Sequence, residues 1–433
     1  MTVIGLEVRE AADPATQAAL DAGGWNPPAE LRATVAAIVD EVRARGDAAV
    51  LEYTRRFDFA DARAAGLRVA LPSLAQAARA LPSEVVSALR LARERVYDFH
   101  ERQRAGDREY LEADGTRSAL LVQPLDAVGA YVPGGRARLP SSVIMTVVPA
   151  KVAGVHRVAV ASPPRSDGTL DPATIFAAVL AGADELYAVG GAQAIAAFAF
   201  GTRTLARVAK IVGPGNAYVT EAKRQVYGIC GIDGLAGPSE VLVAADDASD
   251  PELVAGELLA QAEHDPLARV CVVSTSRRLL ERVAALLRGS FAREAGRSEI
   301  IEAVLAERTL LVHAHDRAEL LAAIARYAPE HLALLTSDAQ ELAQLVRNAG
   351  AIFVGPHSPV AAGDYLAGSN HVLPTSGAPR FASGLRTADF VRTVSLIENS
   401  PARIAADAPA IAALAEFEGL PNHARSARLR MRA

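Results

Sequence analysis

Gly234-Leu-Ala-Gly-Pro238 is the stretch on which the fold turns, because one alternation of apolar runs and helical segments ends before it and another begins after it. A turn this rich in glycine and proline breaks regular structure and marks a crossing between domains. Before it, apolar runs that read as buried strands lie at Ala127 to Val132, Arg157 to Ser162, Glu185 to Val189 and Val208 to Val212, separated by helical stretches such as Ser142 to Ala153 and Pro172 to Ala181. After it, strand candidates stand at Val241 to Ala244, Arg269 to Ser274, Thr309 to Val312, His331 to Leu335 and Ala351 to Val354, again with helix candidates between them. Strands alternating with helices imply parallel sheets. The expected fold class is α/β, with two Rossmann-like α/β/α domains related by a duplication.

The ends of the chain read differently. Between Pro28 and Arg45 the apolar residues Leu31, Val35, Ile38, Val39 and Val42 fall on one helix face and Gly46 stops the pattern, so the N-terminal hundred residues read as mostly helical. After Pro374 the pattern turns irregular. The last fifty residues read as a short glycine-containing segment, a helix from Pro409 to Glu418 and a basic tail with Arg425, Arg428, Arg430 and Arg432, a solvated face. Such a tail cannot bury a core alone and is expected to pack on another domain or a second subunit. With 433 residues, too many for one ordinary core, the expected division is an N-terminal segment (1–23), a first Rossmann-like domain (24–106 with 239–381), a second (107–238) and a C-terminal tail (382–433).

Composition narrows the function. Hydrophobic residues make up 51% of the chain, and 45 basic against 50 acidic residues give a formal net charge of −5. That offers no electrostatic case for nucleic acid or an anionic membrane surface, and a small-molecule substrate fits better. Cys230 and Cys271 stand in different segments without C-x-x-C spacing, so neither a disulfide framework nor a cysteine metal site is indicated, and a reducing cytoplasm is the expected compartment. The first ten residues carry charges and no apolar signal core, and no window reaches the roughly 18 to 20 apolar residues of a spanning helix.

Metal-ligand and proton-transfer residue types are scattered through the second half, in Gln261-Ala-Glu-His264, Pro329-Glu-His331, Gly363-Asp-Tyr365, Asn370-His371 and Glu418 to His423. Gln261 and His264 lie three apart in a segment, Pro251 to His264, that reads as a helix with Asp250 as N-cap. Residues three apart share a helix face, and an amide oxygen beside an imidazole can hold a divalent ion. Asp364 and His423 would complete a mixed nitrogen and oxygen shell of the kind zinc accepts, although the spacing is unlike a zinc finger or an H-E-x-x-H helix. No G-x-G-x-x-G with a following acidic residue closes a strand. Gly213-Pro-Gly-Asn216 does follow a strand candidate; taken alone it reads as a plain tight turn, or as a loop bringing N–H groups to a phosphate.

The order and wording of these segments resemble histidinol dehydrogenase, a zinc- and NAD-dependent enzyme. The matching runs are Tyr131-Val-Pro-Gly-Gly135, Pro149-Ala-Lys-Val-Ala-Gly154, Gly190-Gly-Ala-Gln-Ala-Ile195, Val212-Gly-Pro-Gly-Asn216, Ala236-Gly-Pro-Ser-Glu-Val241, Gln261-Ala-Glu-His264, Pro329-Glu-His331, Gly363-Asp-Tyr365 and Asn370-His-Val-Leu-Pro-Thr375. They run from about Val122 onward in the family's order. Two departures, Thr146 where asparagine is commoner and Gly201-Thr-Arg-Thr-Leu-Ala206 without a Val-Pro pair, fall near the nucleotide site that the resemblance implies.

The resemblance implies an intertwined homodimer with shared active sites that oxidises L-histidinol through its aldehyde to L-histidine, using one zinc per subunit and NAD. It places NAD against Tyr131, Gln193 and Asn216, and the metal on Gln261, His264, Asp364 and His423, the last supplied by the neighbouring subunit. His331 becomes the general base, and Glu330 activates the water that the aldehyde step needs. Ser239, His371 and Glu418 hold the substrate together with the metal ligands and His331, Glu418 pairing with the ammonium of an amino alcohol. The competing readings are a paralogue acting on another polar alcohol, such as a sulfonated diol that Glu418 would repel, a zinc hydrolase without NAD, and a metal-storage protein, which leaves Glu330 and His331 without a task.

Overall fold

The computed structural model describes residues 6–24, 26–134, 139–289 and 297–431. Gly135 of the Tyr131 motif and Arg432 of the basic tail lie outside the described residues.

Two six-stranded sheets organise the chain. The first runs Arg68–Val69, Glu185–Ala188, Arg157–Ser162, Ala127–Tyr131, Lys210–Val212, Gly231–Ile232, parallel throughout except for Arg68–Val69. The second runs Val8–Glu10, Thr309–His313, Arg269–Ser274, Glu240–Ala245, His331–Leu334, Ala351–Val354 and is all parallel. Central strands such as Ala127–Tyr131 and Glu240–Ala245 are buried along their whole length, which is why they read as unbroken apolar runs. Numbered along the chain within each unit, the five strands shared by both sheets follow the order 3-2-1-4-5 twice, as a duplicated doubly wound unit would.

The N-terminal helices pack differently from expectation. Ala29–Arg45 and Asp47–Phe57 bury Val35, Ile38, Val39, Val42 and Val50 in one cluster with Tyr131, Ile195 and Phe198 of the first sheet's unit. Ser83–Glu101 buries Leu89, Ala92 and Val96 with Val128, Ile144 and Phe176 in another cluster of the same unit. Residues 24–106 therefore add to the first sheet and not, as the expected division had it, to the Glu240–Ala245 sheet. A helical stripe announces that a face will be buried and is silent about the sheet that buries it.

The end of the chain also differs. Val391–Glu398 forms an antiparallel three-stranded sheet with Arg117–Pro124 and Arg108–Leu111, in the region that reads as irregular. The expected helix from Pro409 is the second half of Pro401–Phe417, capped by Ser400, whose Oγ accepts from the Arg403 N–H at 3.0 Å. Proline commonly opens a helix, and here the proline that does so is Pro401, with Pro409 tolerated on an exposed face. The basic tail forms a second helix, Pro421–Arg430.

The carboxyl end of the second sheet is closed by its own loops. Asp246 accepts from the Ser337 N–H and Oγ, both at 2.7 Å, and from the Ala248 N–H at 3.0 Å, while Ser249 Oγ donates to the Leu335 carbonyl at 2.8 Å.

Candidate functional site

The chemistry-bearing residues of the second unit gather at the amino ends of its strands. Glu330 and His331 enter the strand His331–Leu334, whose neighbour in register is Glu240–Ala245, with His331 opposite Val241. That register presents the Glu240 peptide to both. Its N–H donates to Glu330 Oε2 at 2.8 Å, and its carbonyl lies 3.0 Å from His331 Nδ1. A carbonyl only accepts, so Nδ1 carries the proton and Nε2 is left with a free lone pair. The Glu240 side chain is itself pinned, taking Arg269 Nη1 and the Ser376 N–H at 3.0 Å each.

Both groups are buried. Burial pushes the Glu330 carboxyl well above the usual carboxylate range, and the charges of Glu240 and Asp364 push it further. Burial pushes His331 down, while Asp364 and the bond to Glu240 pull it back up. The carboxylate of Asp364 and the imidazole of His264 act on both His331 and His371, so these four share one neighbourhood. His371 is oriented by the Asp364 carbonyl, 3.0 Å from Nδ1, and by Ser142 Oγ, 3.2 Å from Nε2.

Of the expected metal ligands, Gln261 is buried at the end of the helix Pro251–Ala262, which Asp250 caps as expected. His264 lies in the turn beyond it, tied by its N–H to the Gln261 carbonyl at 3.3 Å, and Asp364 sits on Val360–Tyr365. The helix therefore stops short of His264, and the turn takes over the task of aiming its ring. His423 and Glu418 are exposed at the terminal helical pair, whose two helices pack chiefly on each other. Among the described residues the His264 imidazole and the Asp364 carboxylate thus act on the same two histidines, and with the amide of Gln261 they are donor types that suit a divalent ion. Ser239 immediately precedes Glu240, half-buried.

One residue here was missed by the sequence reading. Glu257, a helical turn before Gln261, accepts from the Val360 N–H at 3.1 Å and so sets the start of the helix that carries Asp364. Its signal was the i, i+4 spacing to Gln261.

At the carboxyl ends of the first sheet's strands lies a cleft of about 1150 Å³, where the strand order reverses. Tyr131, Gln193 and Asn216 all line it. The Tyr131 hydroxyl accepts from the Gly191 N–H at 3.1 Å. Asn216 Oδ1 caps the helix Ala217–Val226 through the N–H groups of Tyr218 and Val219, both at 3.1 Å. Gly213, at φ 111°, leaves no room for a side chain: a Cβ would meet the Tyr131 carbonyl oxygen at 2.1 Å. Thr146 lies buried in the helix Pro140–Val152 with Oγ1 donating to the Ser142 carbonyl at 2.7 Å, satisfied without any ligand.

Asp58 also lines this cleft and carries no motif, standing after the helix Asp47–Phe57 in the part of the chain with the loosest resemblance. Gln193 Nε2 donates to it at 3.3 Å. Burial raises its carboxyl from 3.8 to about 6, opposed by the Gly190 N–H. The folded chain thus holds this proton more tightly than the unfolded one, and stability falls as pH rises through that window. Asp58→Asn is expected to stabilise the fold by about 1–2 kcal/mol at pH 7, less than the full shift would give because the group is partly solvated, and to do nothing at pH 4. Urea denaturation at the two pH values checks this; a gain equal at both would refute it.

A dinucleotide-sized cleft on one parallel α/β unit, paired with an oriented imidazole and carboxyl on another, defines a two-domain dehydrogenase. The histidinol dehydrogenase family model matches residues 26–431. Histidinol dehydrogenase of Aromatoleum aromaticum is 47% identical over 427 residues, 98% of this chain and 97% of its own, and that of Rhodopseudomonas palustris is 46% identical over 403 residues, 93% of each. The crystal structure of histidinol dehydrogenase from Elizabethkingia anophelis matches with a TM-score of 0.91 at 30% identity, over 99% of this chain and 98% of that one. The chain belongs to the histidinol dehydrogenase family.

Proposed function

We propose that this protein oxidises L-histidinol to L-histidine, the last step of histidine biosynthesis, by two successive hydride transfers to NAD in the cytoplasm, as a homodimer whose sites are shared. The observation that carries the mechanism is the Glu240 peptide, which orients both proton-transfer groups at once. His331 Nε2 takes the hydroxyl proton as the alcohol becomes an aldehyde. Glu330, in its ionised form, with Oε2 held by the Glu240 N–H and its other oxygen left over, takes a proton from the water as it adds to the aldehyde, giving the hydrate as its anion, which loses the second hydride to leave the carboxylic acid. Cysteine is the usual alternative nucleophile at this step. Burial pushes the Cys230 thiol up to about 11 and the Cys271 thiol up to about 12, so neither is a thiolate near neutral pH.

Gln261, His264, Asp364 and His423 of the partner subunit would hold the zinc, which when bound would supply Lewis-acid anchoring of the substrate's nitrogen donors. Tyr131, Gln193 and Asn216, which line the cleft of the first unit, would hold NAD, whose chemistry when bound is that of a hydride acceptor. Ser239, His371 and Glu418 of the partner subunit hold the substrate's polar end. For the dimer the support is surface chemistry: Phe417 is 91% exposed and Ile397 76% exposed in the single chain, and among its described residues the terminal helical pair buries only alanines, Ala408, Ala412, Ala415, Ala424 and Ala427. Apolar side chains so placed call for a covering surface. No described helix is long and apolar enough to cross a membrane.

The test is NADH formed per L-histidinol consumed, before and after chelation and zinc return. Two NADH with zinc-dependent loss and recovery are expected. One NADH would remove the aldehyde step, and no turnover by zinc-loaded protein would remove histidinol as substrate.

A further inference from the structure

A second group of metal-ligating side chains lies at the opposite end of the second sheet from Glu330 and His331. Glu10 closes the edge strand Val8–Glu10, and the register sets it opposite His313, which closes Thr309–His313. His315 follows two residues later. The three side chains converge: His313 Nδ1 is 2.9 Å from Glu10 Oε2, His315 Nε2 is 3.5 Å from the same oxygen, and the two rings stand 5.1 Å apart at 75°. Bond lengths of about 2.0–2.1 Å around a tetrahedral zinc place neighbouring donor atoms roughly 3.3 Å apart. The two imidazole–carboxylate pairs here lie near that spacing, and all three donors are within 4.8 Å of one another.

Two neighbours shape the group. Arg277 pairs with the other Glu10 oxygen, Oε1, which leaves Oε2 to the imidazoles. The carboxylate of Glu319 takes the His315 N–H at 2.9 Å and fixes the backbone of the turn. His313 is largely buried while His315 is well exposed, so an ion would keep open positions toward water. Two imidazoles with one carboxylate suit zinc, cobalt or nickel and are poor ligands for calcium or magnesium.

We propose that Glu10, His313 and His315 form a second, solvent-facing site for a divalent transition metal, which clips the three-residue edge strand Val8–Glu10 to its neighbour. It does not depend on the metal proposed at Gln261, His264 and Asp364. The test is cobalt titration of full-length, chelator-dialysed protein, followed by visible ligand-field absorption and by metal retained after gel filtration. Two equivalents per chain are expected. His315→Ala should weaken one of them more than about tenfold, since loss of even an outer-shell partner costs a metal site 10–100-fold, and should leave NADH formation by the zinc-loaded enzyme unchanged. Glu10→Gln should do the same; if it loosens the edge strand, the exposed His315 variant still decides. His264→Ala should remove the other equivalent alone. Cobalt binding indifferent to His315→Ala would overturn the proposal, as would a single equivalent abolished by His264→Ala. If His264→Ala changed nothing while His315→Ala cost an equivalent, this site would stand and the other would fall.

Discussion

His331→Asn is expected to lower histidinol oxidation by about 10²–10⁴-fold, and Glu330→Gln to lower oxidation of the aldehyde by a similar factor while sparing the alcohol step more. The two effects separate because the Glu240 peptide holds the residues by different atoms. His331 gives its Nδ1 proton to the Glu240 carbonyl and keeps Nε2 for the substrate; asparagine can keep the first bond and offers no basic nitrogen. Glutamine at position 330 can still accept from the Glu240 N–H, so its place is kept and only its capacity to take a proton is lost. Assaying L-histidinol and L-histidinaldehyde separately reads the two steps. Equal losses in both for Glu330→Gln would remove its assignment to water activation, and an unaffected alcohol step in His331→Asn would remove the base.

The second large effect concerns subunits. A His423→Ala protein and an Asp364→Ala protein should each be nearly inactive, yet unfolding and refolding them together should restore roughly one quarter of wild-type activity. Half the dimers formed at random are mixed, and each mixed dimer pairs an intact Asp364 with an intact His423 at one of its two sites. The basis is the exposure of His423 and Glu418 on a terminal helical pair that packs chiefly on itself, together with the uncovered apolar side chains of the tail. No recovery, with mixed dimers demonstrated by mass, would exclude a shared site.

Much of this was legible in the sequence because parallel strands buried on both faces leave continuous apolar runs; Arg157–Ser162 and Arg269–Ser274 were read to the residue. The edges were less legible. Val391–Glu398 is mostly exposed and gives no apolar run, and it pairs with Arg117–Pro124, far away in sequence. Among the site residues, the imidazoles and carboxylates stand in motifs that announce themselves. Asp58 and Glu257 do not, since their significance comes from a cleft and a helix start assembled from distant segments. The Glu240 peptide was invisible for another reason: it acts through main-chain atoms, and only the strand register reveals what a main-chain atom faces.

The Asp246, Ser249 and Ser337 bonds that close the carboxyl end of the second sheet bear on how a doubled fold comes to hold two different tasks. In open doubly wound sheets that end is where ligands enter. Here one copy keeps its mouth, while in the other these bonds tie the central loops together and Glu330 and His331 stand at the far rim. A repeat freed from ancestral binding at one end can accumulate substitutions there at little cost to the reaction. Divergence between the halves of this protein should therefore be read rim by rim, with the tied rim the place where history has been least constrained.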